Sequence, residues 1–395
     1  MSDDWQNWYR NRPGAESQPT ETYQGAGASG YGEAGRTAPN RPGTWPTQPP
    51  ARSLPGEGEP GRRDRGGGGR RRWRFWGQPG RRGRRIALIL VTVVVVLIAG
   101  VAGTYFWLNG KLNRSVTLPA TSLTSAGTNW LITGSDSRAG LSRAEIDAMH
   151  VGFDEGTLNS DSIMLLHLGS GRPVLISIPR DSYVDIPGHG WNKMNAALAY
   201  GGASLLIQTV ENATGLKIDH YMGIGFGGLV AVVNQIGGVQ ICLKTGIHDS
   251  YSGVNLSAGC HNLDGDQALA FVRDRHSFAT EDLQRIQDQR AFLSALLKKA
   301  TSPGVYLNPF TALPFGSTAA SSMSVDTGTS LLDLAHAASA LRDPETGTVP
   351  IGSNNYYTSA GDSVSWNKIQ AAKLFQALKT DSAIPKGLLG GTTVG

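Results

Sequence analysis

The sequence predicts an α/β fold, with a mixed central β-sheet flanked by helices, a disordered N-terminal arm, one transmembrane helix and a C-terminal helical extension. Three observations predict it. Residues 1–85 are rich in Gly, Pro, Ser, Gln and Arg, and residues 86–108 form an apolar run without a charged side chain. Between about residues 128 and 300, short apolar runs alternate with helical patterns, which is typical of strands and helices layered around one sheet.

The arm at residues 1–85 is expected to be disordered, because it holds too little apolar surface to offset the entropy of ordering it. It also accounts for the chain's basic charge. Between residues 52 and 85 there are twelve arginines and three acids, whereas the net charge of the whole chain is only +5. The main domain is therefore mildly acidic, and no specific nucleic-acid partner is expected.

The apolar run at residues 86–108 predicts a membrane anchor. As a helix, its 23 residues reach ~34 Å, enough for a hydrocarbon core of ~30 Å. A cleaved signal peptide is disfavoured because its apolar run is usually shorter and begins near residue 1. The arginines before the run place the arm in the cytoplasm and residues 109–395 outside a single-pass cell membrane protein. They are Arg81, Arg82, Arg84 and Arg85.

Cys242 and Cys260 are the only two cysteines, and both lie in the outer region, where a disulfide is permitted. A bond between them would stabilise the domain by ~3 kcal/mol on the chain-entropy estimate. The alternative is two separate thiols, which an oxidising compartment disfavours. Zinc binding is disfavoured because no second Cys or His pair lies at ligand spacing.

A linker at residues 109–127 precedes the predicted α/β domain at residues 128–300. Its predicted strands are residues 130–133, 163–168, 174–178, 221–224 and 239–243. Its predicted helices are residues 196–215, 226–236 and 283–300. Further helical patterns at 330–341 and 367–378 predict a helical extension at residues 301–382, packed on the domain and followed by a tail at 383–395.

Charged residues gather next to the ends of these strands. Asp136 and Arg138 follow the first predicted strand, Asp161 precedes the second, and Arg180 follows the third. Ligands of α/β sheets bind where the loops at strand ends converge, so a site is predicted there.

The cations near this site suit a diphosphate, because guanidinium forks match phosphate oxygens two at a time. Arg273 and Arg275 follow an apolar segment at residues 268–272 and would share one face of an extended chain. For any single cation, the alternative is a surface salt bridge. The set is Arg138, Arg180, Lys193, Arg273, Arg275 and Arg285.

Asp136 and Asp161 could hold a divalent cation, since Mg²⁺ takes one or two carboxylates together with phosphate oxygens. Without a metal, the same carboxylates would repel an anionic substrate. Serine nucleophilic catalysis is disfavoured, because the serines near the site lack a His–Asp arrangement. The glycine-rich stretch at 223–228 superficially resembles a phosphate loop, but no lysine follows, so a close-packed turn into a helix is predicted.

The helix at 283–300 carries a leucine-rich face at its C-terminal end. At ~100° per residue, Asp282, Arg285 and Gln289 begin that same face. Either a polar pocket lies against the first two turns or the helix protrudes beyond the core. The pocket is favoured because buried charges require partners.

With these residues the chain resembles the LytR-CpsA-Psr family, and its Arg/Gly-rich arm and two-cysteine segment resemble the actinobacterial branch. The resemblance covers about residues 128–300, and the anchor topology agrees with it. The matching segments are GSDSR at 134–138, SDSIMLLHL at 160–168, SIPRDSYVDIPG at 177–188, NKMNAALAYGG at 192–202, DGDQALAFVRDR at 264–275 and DLQRIQDQR at 282–290.

The resemblance implies a transferase outside the membrane that uses Mg²⁺ and a polyprenyl-pyrophosphate-linked glycan. The acceptor would be a muramyl hydroxyl of peptidoglycan, giving a phosphodiester link. Asp136 and Asp161 would hold the metal. An apolar tunnel lined by the helices at 196–210 and 226–236 would take the membrane lipid.

The same resemblance assigns roles to the polar residues. Those predicted to hold the pyrophosphate and stabilise its developing charge are Arg138, Arg180, Arg273, Arg275, Arg285 and Gln289. Lys193, Asn195 and Arg290 are further predicted substrate contacts. Asp282 and Asp181 are candidates for the general base.

Three residues depart from the family pattern. Asn159 stands in place of an arginine, Asp288 in place of a basic residue, and Arg290 in place of a glutamine. The pyrophosphate would then be bound more weakly than in a typical member of the family, unless Arg290 compensates. Two other functions stay open: a pyrophosphatase acting on such lipids, and a non-catalytic lipid–glycan-binding or regulatory membrane protein.

Overall fold

The computed structural model describes residues 81–139, 141–148, 160–274 and 281–389, and for residues 144, 145, 148, 161, 281–290 and 306 it describes the backbone alone. The arm up to residue 80, Asn159, Arg275 and residues 390–395 lie outside the described residues. Helix α1 (Arg81–Asn109) contains the whole apolar run. Within the described part of the chain, α1 alone is long and apolar enough to cross a membrane, which fits a single-pass anchor.

The remaining elements follow in chain order. The first group is β1 (Asn113–Val116), β2 (Thr128–Ser135), α2 (Arg143–Ala148), β3 (Ser160–Leu168), β4 (Val174–Ile178), β5 (Tyr183–Ile186), β6 (Gly190–Lys193) and α3 (Ala196–Thr214). The second is β7 (His220–Ile224), α4 (Phe226–Gln235), β8 (Val239–Leu243), β9 (Ile247–Asp249), β10 (Val254–Leu256), β11 (Gly259–Leu263), α5 (Gly265–Arg273) and α6 (Glu281–Ala300). The third is α7 (Pro303–Tyr306), α8 (Pro309–Ser322), β12 (Met323–Asp326), α9 (Leu331–Ala340), β13 (Glu345–Thr348), β14 (Ile351–Thr358), β15 (Gly361–Trp366) and α10 (Lys368–Lys379).

A seven-stranded sheet forms the centre of the domain, in the order β1-β12-β7-β2-β3-β4-β13. The pairs β1–β12, β2–β7 and β4–β13 are parallel and the others are antiparallel, so the mixed sheet predicted from the sequence is confirmed. Four predicted strands lie in it as β2, β3, β4 and β7. The fifth, β8, is a strand but pairs with β11 outside this sheet.

The two faces of the sheet bury different side chains, because successive strand residues point to opposite faces. Leu131, Leu165 and Ile176 are fully buried in a cluster that includes α3. Trp130 and Met164 belong to another cluster, with α6 and α9. Helix α3 therefore covers one face, and α6 with α9 covers the other.

The segment 301–382 contains the predicted helices, as α9 and α10, but it is more than a helical extension. It also supplies β12 and β13 to the central sheet. Strand β12 lies between β1 and β7, and β13 forms one edge beside β4. Sequence reasoning missed both because MSVD and ETGT are short and not apolar. This segment is thus part of the same core.

The predicted disulfide is confirmed. Strands β8 and β11 pair in antiparallel register with Cys242 directly opposite Cys260, and the two sulfurs are bonded. The bond therefore links two neighbouring strands of a small sheet packed beside α4 and α6.

A buried carboxylate ties β7 to β12 near the start of β7. Asp326 accepts hydrogen bonds from the Tyr221 amide (2.9 Å) and the Thr329 hydroxyl, and its Oδ1 lies 3.5 Å from His220 Nδ1. Burial alone would raise the pKa of Asp326, but these hydrogen bonds outweigh it and lower the pKa to about 2. The hydrogen bond with Asp326 raises the pKa of His220.

Candidate active site

A cavity of about 950 Å³ opens beside the C-terminal end of β2. It lies on the sheet face that carries Ile132, Met164 and Met222, which are neighbours in the register of β2, β3 and β7. Its polar lining comes from the loops at one end of these strands, and its apolar lining comes from helices. The cavity therefore suits an amphiphilic ligand.

The mouth of the cavity is defined by half-buried polar residues from four separate segments of the chain. Among the described residues it contains four cations and two acids, an excess of positive charge, and the buried Asp249 lines the same cavity. Its members are Asp136, Arg138, Arg180, Asp181, Lys193, Asn195 and Arg273. All of them except Asp181 were predicted as metal- or substrate-contacting residues, and Asp181 was a candidate base. The structure thus brings these predicted residues together at one cavity.

Two glycines position the loop that carries Asp136 and Arg138. The Phe226 amide, at the start of α4, donates to the Ser137 carbonyl (2.8 Å). A Cβ at Gly225 would lie 2.8 Å from that carbonyl oxygen, and a Cβ at Gly227 only 2.3 Å from the Ala139 carbonyl oxygen. Only glycine permits so close an approach. The glycine-rich stretch is therefore a close-packed turn into a helix, as predicted.

The turn after β4 holds Arg180 and Asp181 at the mouth. Arg180 Nε lies 3.3 Å from one Asp181 carboxylate oxygen, and Lys193 Nζ lies 3.3 Å from the other. The Ser182 hydroxyl, fully buried, donates to the Pro179 carbonyl (2.6 Å) and accepts from Trp366 Nε1 (2.8 Å). A residue near the C-terminus thereby braces the turn that presents the two cations.

Arg273 reaches the mouth from the end of a helix. The apolar segment at 268–272, which was assigned to no predicted strand or helix, is part of α5, which begins with a capping box between Asp264 and Gln267. The capping box starts this helix just before the apolar residues and places Arg273 in its last turn. The Arg273 guanidinium lies over the Phe226 ring, 5.4 Å from its centre. This contact holds the cation against the wall of the cavity.

The predicted metal ligands are brought close by the β2–β3 pairing. Asp136 follows Ser135, which pairs with Ser160, and Asp161 comes directly after Ser160, at an irregularity in the register. Asp136 lines the cavity; of Asp161 the backbone alone is described. Two carboxylates beside cations that would hold phosphate form an oxygen-rich donor set, which fits Mg²⁺. The described residues contain no group of three or more His, Cys, Asp or Glu side chains that could hold a metal unaided.

The apolar lining differs from the predicted tunnel. Helix α4 contributes Phe226 and Leu229, but no residue of α3 lines the cavity, because α3 packs on the opposite face of the sheet. The lining comes instead from α6, α8 and α9, and much of it lies in the segment that had no predicted function. Its apolar members on these helices are Phe292, Leu293, Leu296, Leu297, Ala300, Phe315, Ala319, Ala320, Leu331, Leu334, Ala335, Ala337 and Ala338.

The leucine-rich face of α6 does face a pocket, since Leu293, Leu296 and Leu297 line the cavity. Asp282, Arg285, Gln289 and Arg290 lie on the same helix, but their side chains are outside the described part of the structure. Sequence reasoning missed Asp249, Tyr251 and Ser252 in the cavity lining. No motif or strand-end pattern marks these three residues.

Comparison with known proteins agrees with this architecture. The LytR_cpsA_psr family model matches residues 109–380. The probable cell wall biosynthesis protein LcpB of Corynebacterium glutamicum is 46% identical over 276 residues, covering 69% of this chain and 66% of LcpB. The polyisoprenyl-teichoic acid–peptidoglycan teichoic acid transferase TagT of Bacillus subtilis is 41% identical over 134 residues, covering 32% of this chain and 41% of TagT. The chain thus spans just under two thirds of LcpB and less than half of TagT.

Solved structures share the fold. The LytR-Csp2A-Psr enzyme from Actinomyces oris superposes with a TM-score of 0.54 at 22% identity, over 68% of this chain and 96% of that one. TagT bound to LI-WTA superposes with a TM-score of 0.50 at 24% identity, over 67% of this chain and 97% of that one. Because the family model covers well over half of the chain, from the end of α1 to α10, the chain belongs to the LytR-CpsA-Psr family.

Proposed function

We propose that this protein transfers a glycopolymer from a polyprenyl-pyrophosphate carrier to peptidoglycan and forms a phosphodiester link. The observation that carries the proposal is the cavity itself, which joins a mouth with an excess of positive charge to an interior lined by Leu, Phe and Ala side chains. A diphosphate fits the mouth, and an isoprenoid chain fits the interior. The names of TagT, a teichoic acid transferase, and of LcpB, a probable cell wall biosynthesis protein, support the same reaction.

In the proposed reaction, a peptidoglycan hydroxyl attacks the phosphorus that bears the glycan and gives its proton to a general base, for which Asp282 on α6 is the candidate. The bond from this phosphorus to the bridging oxygen breaks, and polyprenyl phosphate leaves with that oxygen. Arg138, Arg180 and Arg273 would hold the non-bridging oxygens and stabilise the charge that develops on the leaving phosphate. Lys193 and Asn195, which line the same mouth, would bind the same phosphate group.

Asp181 is proposed as a positioning residue. Both of its carboxylate oxygens are already engaged by Arg180 and Lys193, so it holds two cations in place. Asp136 and Asp161 are proposed to hold Mg²⁺, which when bound supplies a Lewis acid beside the diphosphate.

The proposed location is the outer side of the cell membrane. Helix α1 would span the bilayer once, and the arginines at its N-terminal end would keep the arm in the cytoplasm. The lipid-linked substrate and the peptidoglycan acceptor are both present on the outer side, where the disulfide is also stable.

The test uses the full chain in vesicles with Mg²⁺, a polyprenyl-diphosphate donor labelled in its glycan, and peptidoglycan. Label should move to the insoluble wall fraction while polyprenyl monophosphate is released. Release of monophosphate without label in the wall would make the protein a pyrophosphatase. Retention of intact donor would make it a binding protein. Either result would overturn the proposed transfer.

A further inference from the structure

A long uncharged segment joins α6 to β12. Residues 300–325 contain no Asp, Glu, Lys, Arg or His, although charged residues make up 17% of the chain. The segment includes α7 and α8, which form a corner of the domain. A water-facing surface of a soluble domain normally carries charges, so the composition of this corner requires an explanation.

The corner exposes large apolar side chains. On α8, Phe310 is 89% exposed and Leu313 is also exposed. Leu307, between α7 and α8, is 70% exposed. On the neighbouring helix α9, Leu332 is 66% exposed. Single exposed apolar residues are common, but several together within one uncharged segment mark a contact surface. We call Leu307, Phe310 and Leu313 the apolar corner.

The apolar corner is continuous with the membrane helix. A Cβ at Gly316 of α8 would lie 3.3 Å from a methyl group of Leu108, in the last turn of α1. Leu112, just beyond α1, packs with Ala320 at the other end of α8. Asn109 Oδ1 accepts a hydrogen bond from the Leu331 amide (3.0 Å), which ties the end of α1 to the start of α9. The point where α1 leaves the membrane is therefore next to α8.

The same helix forms the wall of the cavity. Phe315, Gly316 and Ala319 of α8 line it. At ~100° per residue, Ala319 lies about 180° from Phe310 around the helix axis. Helix α8 thus separates the apolar interior of the cavity from the apolar corner.

We propose that the apolar corner inserts into the bilayer leaflet at the C-terminal end of α1, so that the lipid chain passes between the bilayer and the cavity along α8. The partner is the acyl region of the lipid bilayer. A long isoprenoid chain would then enter the cavity without crossing water, which removes a large hydrophobic penalty. The passage of substrate rests on the proposed function, whereas the insertion of the corner can be measured without any substrate.

The first experiment places a spin label on the full chain in lipid vesicles. Phe310→Cys labels the apolar corner. Tyr357→Cys, at an 84% exposed residue on β14, is the matched control. The two native cysteines are bonded to each other, so the label reacts with the new cysteine alone. Relaxation should be accelerated by oxygen, which concentrates in lipid, at position 310, and by a water-soluble nickel chelate at position 357.

Position 310 behaving like position 357, with higher accessibility to the nickel chelate, would overturn the proposal. This outcome is independent of transfer activity, because no donor is present. An inactive protein with a lipid-exposed label at position 310 would refute the proposed function and leave the membrane contact standing.

The second experiment tests the route of the lipid. Phe310→Asp should leave the melting temperature unchanged, because the side chain packs on little of the protein. It should lower the rate with a long-chain donor in vesicles roughly tenfold more than the rate with a short-chain, water-soluble donor. Equal effects on the two donors would show that the chain does not pass the apolar corner.

Discussion

Lys193 Nζ lies 3.3 Å from Asp181 Oδ1 at the mouth of the cavity, and Arg180 approaches the other oxygen of the same carboxylate. The three side chains are 18–26% exposed, so these ion pairs lie at the wall of the cavity and not on the open surface. Their effect is geometric, since the carboxylate keeps two cations side by side that would otherwise repel each other. Both cations are therefore in place before a diphosphate binds, so binding loses less side-chain conformational entropy.

Removing one of these cations should reduce catalysis with little effect on folding. Arg180→Ala should lower turnover by on the order of 10²–10³, the usual cost of losing one donor to a transition state. Arg180→Lys should recover little, because an ammonium keeps the charge but loses the bidentate fork. Glycan transfer is measured beside thermal melting. Arg172→Ala, at a surface ion pair with Asp343, is the matched control. Near-normal transfer rates in Arg180→Ala would show that Arg180 forms a salt bridge and takes no part in catalysis.

The aromatic ring under Arg273 offers a test of positioning. Phe226→Leu keeps an apolar side chain but removes the ring face, which contributes about 1 kcal/mol to holding a partly exposed guanidinium. We expect a roughly fivefold lower kcat with a small change in KM, and recovery in Phe226→Tyr. A purely structural role would instead lower the melting temperature and leave the Tyr variant no better than the Leu variant.

The metal proposal predicts a specific loss. Asp161→Ala and Asp136→Ala should each abolish Mg²⁺-dependent transfer and weaken the binding of Mn²⁺, measured by electron paramagnetic resonance without substrate. The fold should stay intact or become slightly more stable, because one of two neighbouring like charges is removed. Asp343→Ala removes an exposed carboxylate outside the proposed site and should change neither Mg²⁺-dependent transfer nor Mn²⁺ binding. Full Mg²⁺-dependent activity in Asp161→Ala would show that the metal is held elsewhere.

The carboxylate between β7 and β12 predicts a pH dependence of stability. The folded pKa of Asp326 is about 2, below its ordinary value of 3.8, so its contribution is present above pH 3.8 and lost as the pH falls towards 2. The shift corresponds to about 2 kcal/mol. The pKa of His220 is raised, so its contribution is present below its ordinary value of 6.5 and lost as the pH rises through the folded value.

Urea unfolding of Asp326→Asn at several pH values checks this. At pH 5 to 6 the free energy of unfolding should fall by about 2 kcal/mol, and the loss should shrink as the pH approaches 2. Asp343→Asn should follow the wild type throughout. An equal loss at every pH would mean that Asp326 acts through packing and not through its charge.

Much of the fold could be predicted because its signals are local. Continuous apolar runs mark β2, β3 and β4, which are buried on both faces, whereas β7 alternates between buried and half-buried residues. Amphipathic patterns mark α3 and α6. The clustering of Arg138 and Arg180 was also predictable, since they follow the C-terminal ends of β2 and β4, which lie at the same end of the sheet. Arg273 reaches the same mouth as the last residue of α5. The disulfide could be predicted from the expected oxidising compartment and from the presence of only two cysteines in the sequence.

What could not be predicted depends on contacts between distant parts of the chain. Strand β12 has a weak apolar pattern, and its pairing with β1 joins residues about 211 positions apart, as in Asn113 and Ser324. The lining of the cavity by α8 and α9 could not be predicted either, because it also depends on contacts between distant parts of the chain. The assignment of α3 to the tunnel was wrong because the sequence shows that a helix is apolar but not which face of the sheet it covers.

The positions of β12 and β13 have a consequence for biogenesis. In the proposed orientation, the residues after α1 are exported in chain order, so the charged mouth emerges before β12, which joins β1 to β7, and before β13, which lies beside β4. Until residue 326 is outside, β1 has no partner in the sheet and β7 has a bare edge, and until residue 348 is outside β4 has a bare edge; such edges invite pairing with other chains. Productive folding must therefore wait for translocation to be nearly complete, and premature termination should yield chains that aggregate at the membrane surface.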